Sequence, residues 1–155
     1  MTHDDSAPGI PLPALIRHAR GAFSLAIRNE LREGDFEDLP ANGAYVLGGM
    51  ASQHVAASQL LGELGVSKQA ASQLVDTLVV RGYLTRQVDP SDRRRMTLEL
   101  TERGRAAALA VRGGVEAVDA ALIERLTPED VHGLRRGLVA LISIKEELEE
   151  TDRAG

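Results

Sequence analysis

The chain has 155 residues and a formal net charge of −5, with 43% hydrophobic and 26% charged residues. That balance and length suit one folded domain that buries a core without disulfides or metals, and they exclude wholesale disorder. There is no cysteine, which excludes thiol catalysis and thiolate metal sites. The four aromatic residues, Phe23, Phe36, Tyr45 and Tyr83, are too few for a platform that stacks single-stranded bases.

In chain order, residues 1–11 read as a flexible N-terminal arm, rich in proline and polar residues. The first six residues are acidic rather than basic, and no signal-type apolar run follows. The longest uncharged stretch, residues 39–62, carries Pro40, Asn42, Gln53 and His54 and suits a bilayer poorly. No membrane association and a cytoplasmic location are therefore expected.

From Leu12 to Leu31 apolar residues recur every three to four positions, the pattern of an amphipathic helix, which Gly34-Asp35 breaks. Leu39-Pro40 opens a second helix expected to fade at Gly48-Gly49. A short helical run from Gln59 to Leu64 ends at Gly65. Ser67 then caps a helix that runs to about Arg81 and stops at Gly82. Tyr83 to Val88 and Met96 to Leu100 read as two strands joined by a turn with Pro90 at its second position. Thr101 caps a long helix in which Gly113-Gly114 is expected to bend or weaken the rod. Thr127-Pro128-Glu129-Asp130 starts the last helix, with acids on the positive end of its dipole.

Two helices joined by a short glycine turn form a helix-turn-helix pattern over residues 59–81. On a helical wheel Ala70, Ala71, Leu74, Val75 and Leu78 gather on the face toward a core. Lys68, Gln69, Ser72, Gln73 and Asp76 gather on the other. Amide, hydroxyl and ammonium groups of this reach suit the base edges of a major groove. Asp76 repels phosphate, so it either accepts from a cytosine amine or orients a neighbouring cation. The hairpin tip carries Asp92-Arg93-Arg94-Arg95, and guanidinium groups there can follow a flanking minor groove. Residues 58–105 hold eight basic and six acidic side chains, a positive surplus in an acidic chain, so a polyanion is expected to bind there.

These segments together resemble the winged helix-turn-helix core of the MarR (multiple antibiotic resistance regulator) family. The resemblance rests on Val66-Ser67-Lys68-Gln69-Ala70-Ala71-Ser72-Gln73-Leu74-Val75-Asp76, then Arg81-Gly82-Tyr83-Leu84, then Asp89-Pro90-Ser91-Asp92-Arg93-Arg94-Arg95-Met96, then Leu100-Thr101-Glu102-Arg103-Gly104. It implies a mostly α fold with a small two- or three-stranded β-wing and N- and C-terminal dimerisation helices. Residues 12–155 then form a single domain, with dimerisation helices at 12–33 and 106–149 and a DNA-binding lobe at 39–105. The partners implied are double-stranded DNA, a second copy of the chain, and a small aromatic or phenolic ligand that releases DNA in many members. Two departures stand out. Gln73 stands where many members have arginine, and Leu61 stands where the first helix of the motif usually has alanine. The cysteine-based peroxide sensing of some members is excluded.

The expected DNA-binding residues are Ser67, Lys68, Gln69, Ser72, Gln73, Arg86, Arg93, Arg94 and Arg95. Arg81 and Arg86 are expected to touch phosphate or lie on the surface rather than to read bases. Phe23, Tyr45 and Leu47 read first as core; a ligand pocket, if present, would use His18, Phe23 and Tyr45. The four histidines show no zinc spacing, no cofactor is expected, and no nucleophile, phosphate-loop or paired-carboxylate pattern indicates an enzyme. The expected function is a sequence-specific, homodimeric transcriptional repressor on a near-palindromic site. The alternative is a ligand- or protein-binding module that kept the winged-helix fold and lost specific DNA binding.

Overall fold

The computed structural model describes residues 9–53, 56–88 and 96–154. Its elements are α1 (Leu12–Glu33), α2 (Ala41–Gln53), α3 (Ala57–Glu63), α4 (Lys68–Val80), β1 (Leu84–Val88), β2 (Met96–Leu100), α5 (Glu102–Ile123) and α6 (Pro128–Ala154). The fold is thus mostly helical, with an antiparallel hairpin that pairs Leu84 with Leu100, Arg86 with Leu98 and Val88 with Met96. Two compact units, residues 1–116 and 117–155, make up the chain.

Local chemistry sets most boundaries of the first unit. Gly65 and Gly82 have φ of +63° and +75°, the left-handed region that glycine enters without a Cβ penalty, and they close α3 and α4. The Ser67 hydroxyl accepts from the Ala70 amide at 3.2 Å and caps α4. The Thr101 hydroxyl accepts from the Gly104 amide at 2.9 Å and donates to the Gly82 carbonyl at 2.5 Å. The same side chain therefore starts α5 and ties it to the end of α4. A Cβ on Gly104 would overlap the Tyr83 carbonyl oxygen, so α5 begins directly against the backbone that enters β1.

The core of this unit gathers Leu31 of α1, Val46 and Leu47 of α2, Leu60 of α3, Leu78 of α4, Tyr83 and Leu84, and Ala107, Ala108 and Val111 of α5. Burial of these apolar side chains is the main term that holds the helices together. One glycine pair behaves differently from expectation. Helix α2 does not fade at Gly48-Gly49 but continues to Gln53. A Cβ on Gly49 would lie 2.6 Å from Leu60 Cδ2, and one on Gly48 would lie 3.1 Å from Val111 Cγ1. These glycines admit neighbouring helices; they do not end their own. Helix α5 contains Gly113-Gly114, as expected. A Cβ on Gly114 would lie 2.5 Å from the Ile27 Cα, so the residue marks a close crossing of α5 with the backbone of α1.

Within the second unit, the Thr127 hydroxyl accepts from the Asp130 amide at 3.2 Å while Asp130 Oδ2 accepts from the Thr127 amide at 3.1 Å, a reciprocal cap for α6. Asp119 on the last turns of α5 pairs with Arg135 on α6 at 3.5 Å. Helix α6 carries a series of exposed apolar side chains, Leu134, Leu138, Val139, Ile142, Ile144 and Leu148. Among the described residues no helix is long and apolar enough to cross a membrane.

Candidate nucleic-acid interface

Helix α4 follows α3 across Leu64, Gly65, Val66 and Ser67, and the two helices form the helix-turn-helix expected from the sequence. Val75 and Leu78 are buried and Leu74 is half-buried, which anchors α4 in the core. Ser67, Lys68, Gln69, Ser72, Gln73 and Asp76 are all exposed, as the wheel predicts. Residues 69, 72, 73 and 76 share one face at the three- to four-residue spacing of a helix. Ala70 was assigned to the core face but is exposed. It lies in the first turn of α4, next to the exposed segment from Gly65 to Gln69, before the helix meets the core.

The first wing strand continues this surface. Arg86 is exposed on β1, and its Nη2 lies 2.5 Å from Asp76 Oδ1 on α4. Of the two roles open to Asp76 from the sequence, the structure gives it the neighbouring cation. Arg93, Arg94 and Arg95, the expected wing-tip residues, lie outside the described residues.

Other cations of the basic segment are occupied internally. Arg81 Nη1 donates to the Asp38 carbonyl, so this guanidinium is turned to the protein's own backbone rather than held out for phosphate. Arg105 Nη1 donates to the Leu100 carbonyl at 2.7 Å. Arg103 Nη2 donates to Asp38 Oδ1 at 2.8 Å and to the Tyr83 hydroxyl at 3.1 Å. Its guanidinium also lies 4.7 Å from the centre of the Tyr83 ring, a cation–π distance. Tyr83 is fully buried, packs edge-on against Phe36, and donates its hydroxyl hydrogen to Asp38 Oδ1.

The electrostatics of this cluster follow from those contacts. The Tyr83 hydrogen bond, helped by Arg103 and Arg81, holds the Asp38 carboxyl below its ordinary value despite some desolvation. Burial, with the bond to Asp38, pushes the Tyr83 phenol up. Sequence reasoning missed this junction because its partners lie 45 and 65 positions apart. The signal available was the pairing of a tyrosine just before β1 with an acid just before α2, and neither forms a motif.

Among the described residues no hydrogen bond, ion pair or ring contact joins the three ligand candidates. On α1, His18 is exposed and Phe23 half-buried. Tyr45 on α2 is 46% exposed rather than core, and its hydroxyl donates to Glu63 Oε2 at 2.6 Å. Leu47, the other residue read as core, is fully buried. A surface depression of about 250 Å³ is lined by Arg28, Leu31, Arg32, Phe36, Glu37 and Leu39, none of them a candidate.

A helix-turn-helix followed by an antiparallel hairpin and framed by long helices defines a winged helix-turn-helix protein. Residues 37–95, which carry α2 to the wing, match the model of the MarR family. Solved structures agree on the fold. The chain is 23% identical to FabT of Streptococcus pneumoniae, solved in complex with DNA, covering 88% of this chain and 95% of that one with a TM-score of 0.72. It is 25% identical to apo MarR from E. coli, covering 85% and 96%, with a TM-score of 0.60. A transcriptional regulator from Thermotoga maritima is 28% identical, with coverage of 88% and 95% and a TM-score of 0.55. A search of curated protein sequences returned no match.

Proposed function

We propose that this chain is a sequence-specific regulator that binds double-stranded DNA as a homodimer and represses transcription from a near-palindromic site. The observation that carries the reading is the exposed face of α4, where Gln69, Ser72 and Gln73 stand beside the Asp76–Arg86 pair of the wing. Amide and hydroxyl side chains on a core-anchored helix are the chemistry of major-groove readout. In this reading Ser67, Lys68, Gln69, Ser72 and Gln73 meet the groove, Arg86 flanks it, and Arg93, Arg94 and Arg95 follow the backbone and minor groove. The FabT structure in complex with DNA supports it by fold.

Dimerisation through residues 12–33 and 106–149, with the DNA-binding lobe at 39–105, is part of the proposal. Its support is the apolar surface left uncovered, including Leu12, Leu15, Ile16 and Leu25 on α1 and, separately, Leu134, Leu138 and Ile142 on α6. A monomer rarely leaves such contiguous apolar faces to water. Release of DNA by a small aromatic or phenolic ligand at His18, Phe23 and Tyr45, and a cytoplasmic location beside the chromosome, complete the proposal.

The test is selection of bound genomic fragments by the purified protein, then a salt titration on the best fragment and on a scrambled one. A palindromic consensus bound far more tightly than the scramble, with half-sites about 10 bp apart, is the expected result. Equal, weak binding to both fragments would overturn it.

A further inference from the structure

The geometry points to Asp76 as a positioning residue that sets specificity by holding Arg86. An acid on a helix face meant for DNA is unfavourable by itself, because it faces a dense row of phosphates. Its placement makes sense through its partner. Asp76 Oδ1 lies 2.5 Å from Arg86 Nη2, and the pair bridges α4 to the first wing strand. Both side chains are about half exposed, so the pair lies on the surface and is not part of the core. Surface pairs of this kind contribute little to folding, which leaves orientation as the role the geometry supports.

The chemistry of the guanidinium gives that orientation a direction. Arg86 has five N–H donors in a fixed plane, and the contact to Asp76 engages one nitrogen, Nη2. The remaining donors form a fork of the kind that matches the paired O6 and N7 acceptors of guanine. A free arginine on β1 would turn to the nearest phosphate and bind any sequence. An arginine tethered to α4, on the face that carries Gln73 one turn earlier, is held for a base edge. The carboxylate also cancels most of the charge that would attract Arg86 to the backbone. Asp76 therefore trades sequence-blind affinity for discrimination, with guanine as the base class read in each half-site.

This inference rests on the proposed DNA-binding function, and the experiment separates the two. Wild type, Asp76→Asn, Asp76→Glu, Arg86→Ala and the double variant Asp76→Asn/Arg86→Ala are titrated with salt on the selected fragment and on its scramble. Asp76→Asn should bind the scramble more tightly, with a salt slope steeper by about one, as one more phosphate is neutralised. The ratio between fragments should fall about tenfold, and a repeated selection should lose one guanine per half-site. Asp76→Glu should keep part of the ratio, and in the Arg86→Ala background the slope change should vanish. If wild type discriminates but Asp76→Asn keeps its slope and ratio, Asp76 does not act through Arg86. A uniform loss of affinity on both fragments with unchanged slope would also overturn the inference. If wild type itself does not discriminate, the DNA-binding reading falls and this inference falls with it.

Discussion

Tyr83, which solvent does not reach, donates its hydroxyl hydrogen to Asp38, 45 positions earlier in the chain. Arg103 at the start of α5 donates to both. Three segments that no local signal connects, the lead-in to α2, the entry to β1 and the first turn of α5, thus meet at one carboxylate. Tyr83→Phe keeps the ring, its contact with Phe36 and its burial, but removes the hydroxyl. Denaturant unfolding should show a loss of about 1 kcal/mol, the cost of one hydrogen bond. Tyr83→Ala should lose about 3–5 kcal/mol, because a buried aromatic volume is emptied. Equal losses for the two variants would show that the ring contributes nothing.

Acid should weaken this junction. The Asp38 carboxyl is held below its ordinary value in the folded chain, chiefly by the Tyr83 hydroxyl. A group with a depressed folded pKa contributes stability that is present above its unfolded value, about 3.9, and is lost as pH falls through the folded value. Asp38→Asn has no such proton to bind. Comparison of wild type with Asp38→Asn by thermal unfolding from pH 6 down to pH 2 should show their difference shrinking below about pH 4. A difference that stays constant over this range would exclude Asp38 as the titrating group.

The two adjacent glycines of α5 should respond in opposite ways to the same change. A methyl at Gly114 would press on the Ile27 backbone, which cannot move aside, so Gly114→Ala should destabilise by about 1–3 kcal/mol. A methyl at Gly113 would meet the Glu30 carboxylate at 3.3 Å, the far end of a flexible side chain. Gly113→Ala should therefore be neutral or stabilise by up to about 1 kcal/mol through helix propensity. Differential scanning calorimetry of the pair is sufficient, and a matched response would show that α1 and α5 do not cross closely.

Association should depend on the apolar side chains of α6. Leu138 is 42% exposed, and Leu134 and Ile142 flank it at helical spacing. Leu138→Glu places a charge in that stripe and should shift the protein from dimer to monomer in sedimentation equilibrium, at unchanged helix content by circular dichroism. A dimer that survives this change would place the interface elsewhere.

Gln73 and Arg94 should fail differently on DNA. Gln73→Ala should relax base preference at one position of each half-site, with a loss of about 1–3 kcal/mol on the selected fragment alone. Arg94→Ala should weaken binding to all sequences and flatten the salt slope by about one. Repeated fragment selection reads the first and salt titration the second. A consensus identical to wild type would remove Gln73 from the readers.

The helix-turn-helix and the wing were legible in the sequence because their boundaries are written locally. Ser67 caps within three residues, Gly65 and Gly82 take left-handed backbone, and Thr101 bonds back to Gly82. The exposed face of α4 followed from periodicity, since a helix fixed by Val75 and Leu78 must turn Gln69 and Gln73 away. Gly48-Gly49 misled because a glycine ends a helix or admits a neighbour, and only tertiary packing decides which. Gly49 under Leu60 and Gly114 against Ile27 are of the second kind. Arg81 is exposed, one of the two places expected for it, but the Asp38 carbonyl that accepts from it was not visible in the sequence.

The bond from Thr101 to Gly82, with Gly104 set against the Tyr83 backbone, makes the root of the hairpin a welded corner. The strands project from it as a lever of five residues, about 17 Å at the rise of a β-strand. Simple trigonometry on that arm turns a tilt of about 5° in the first turn of α5 into a displacement of about 1.5 Å at the far end. That is half the length of a hydrogen bond, enough to take a guanidinium out of reach of its acceptor. A small rotation at the base of α5 is thus amplified along the wing without any change in the hairpin itself.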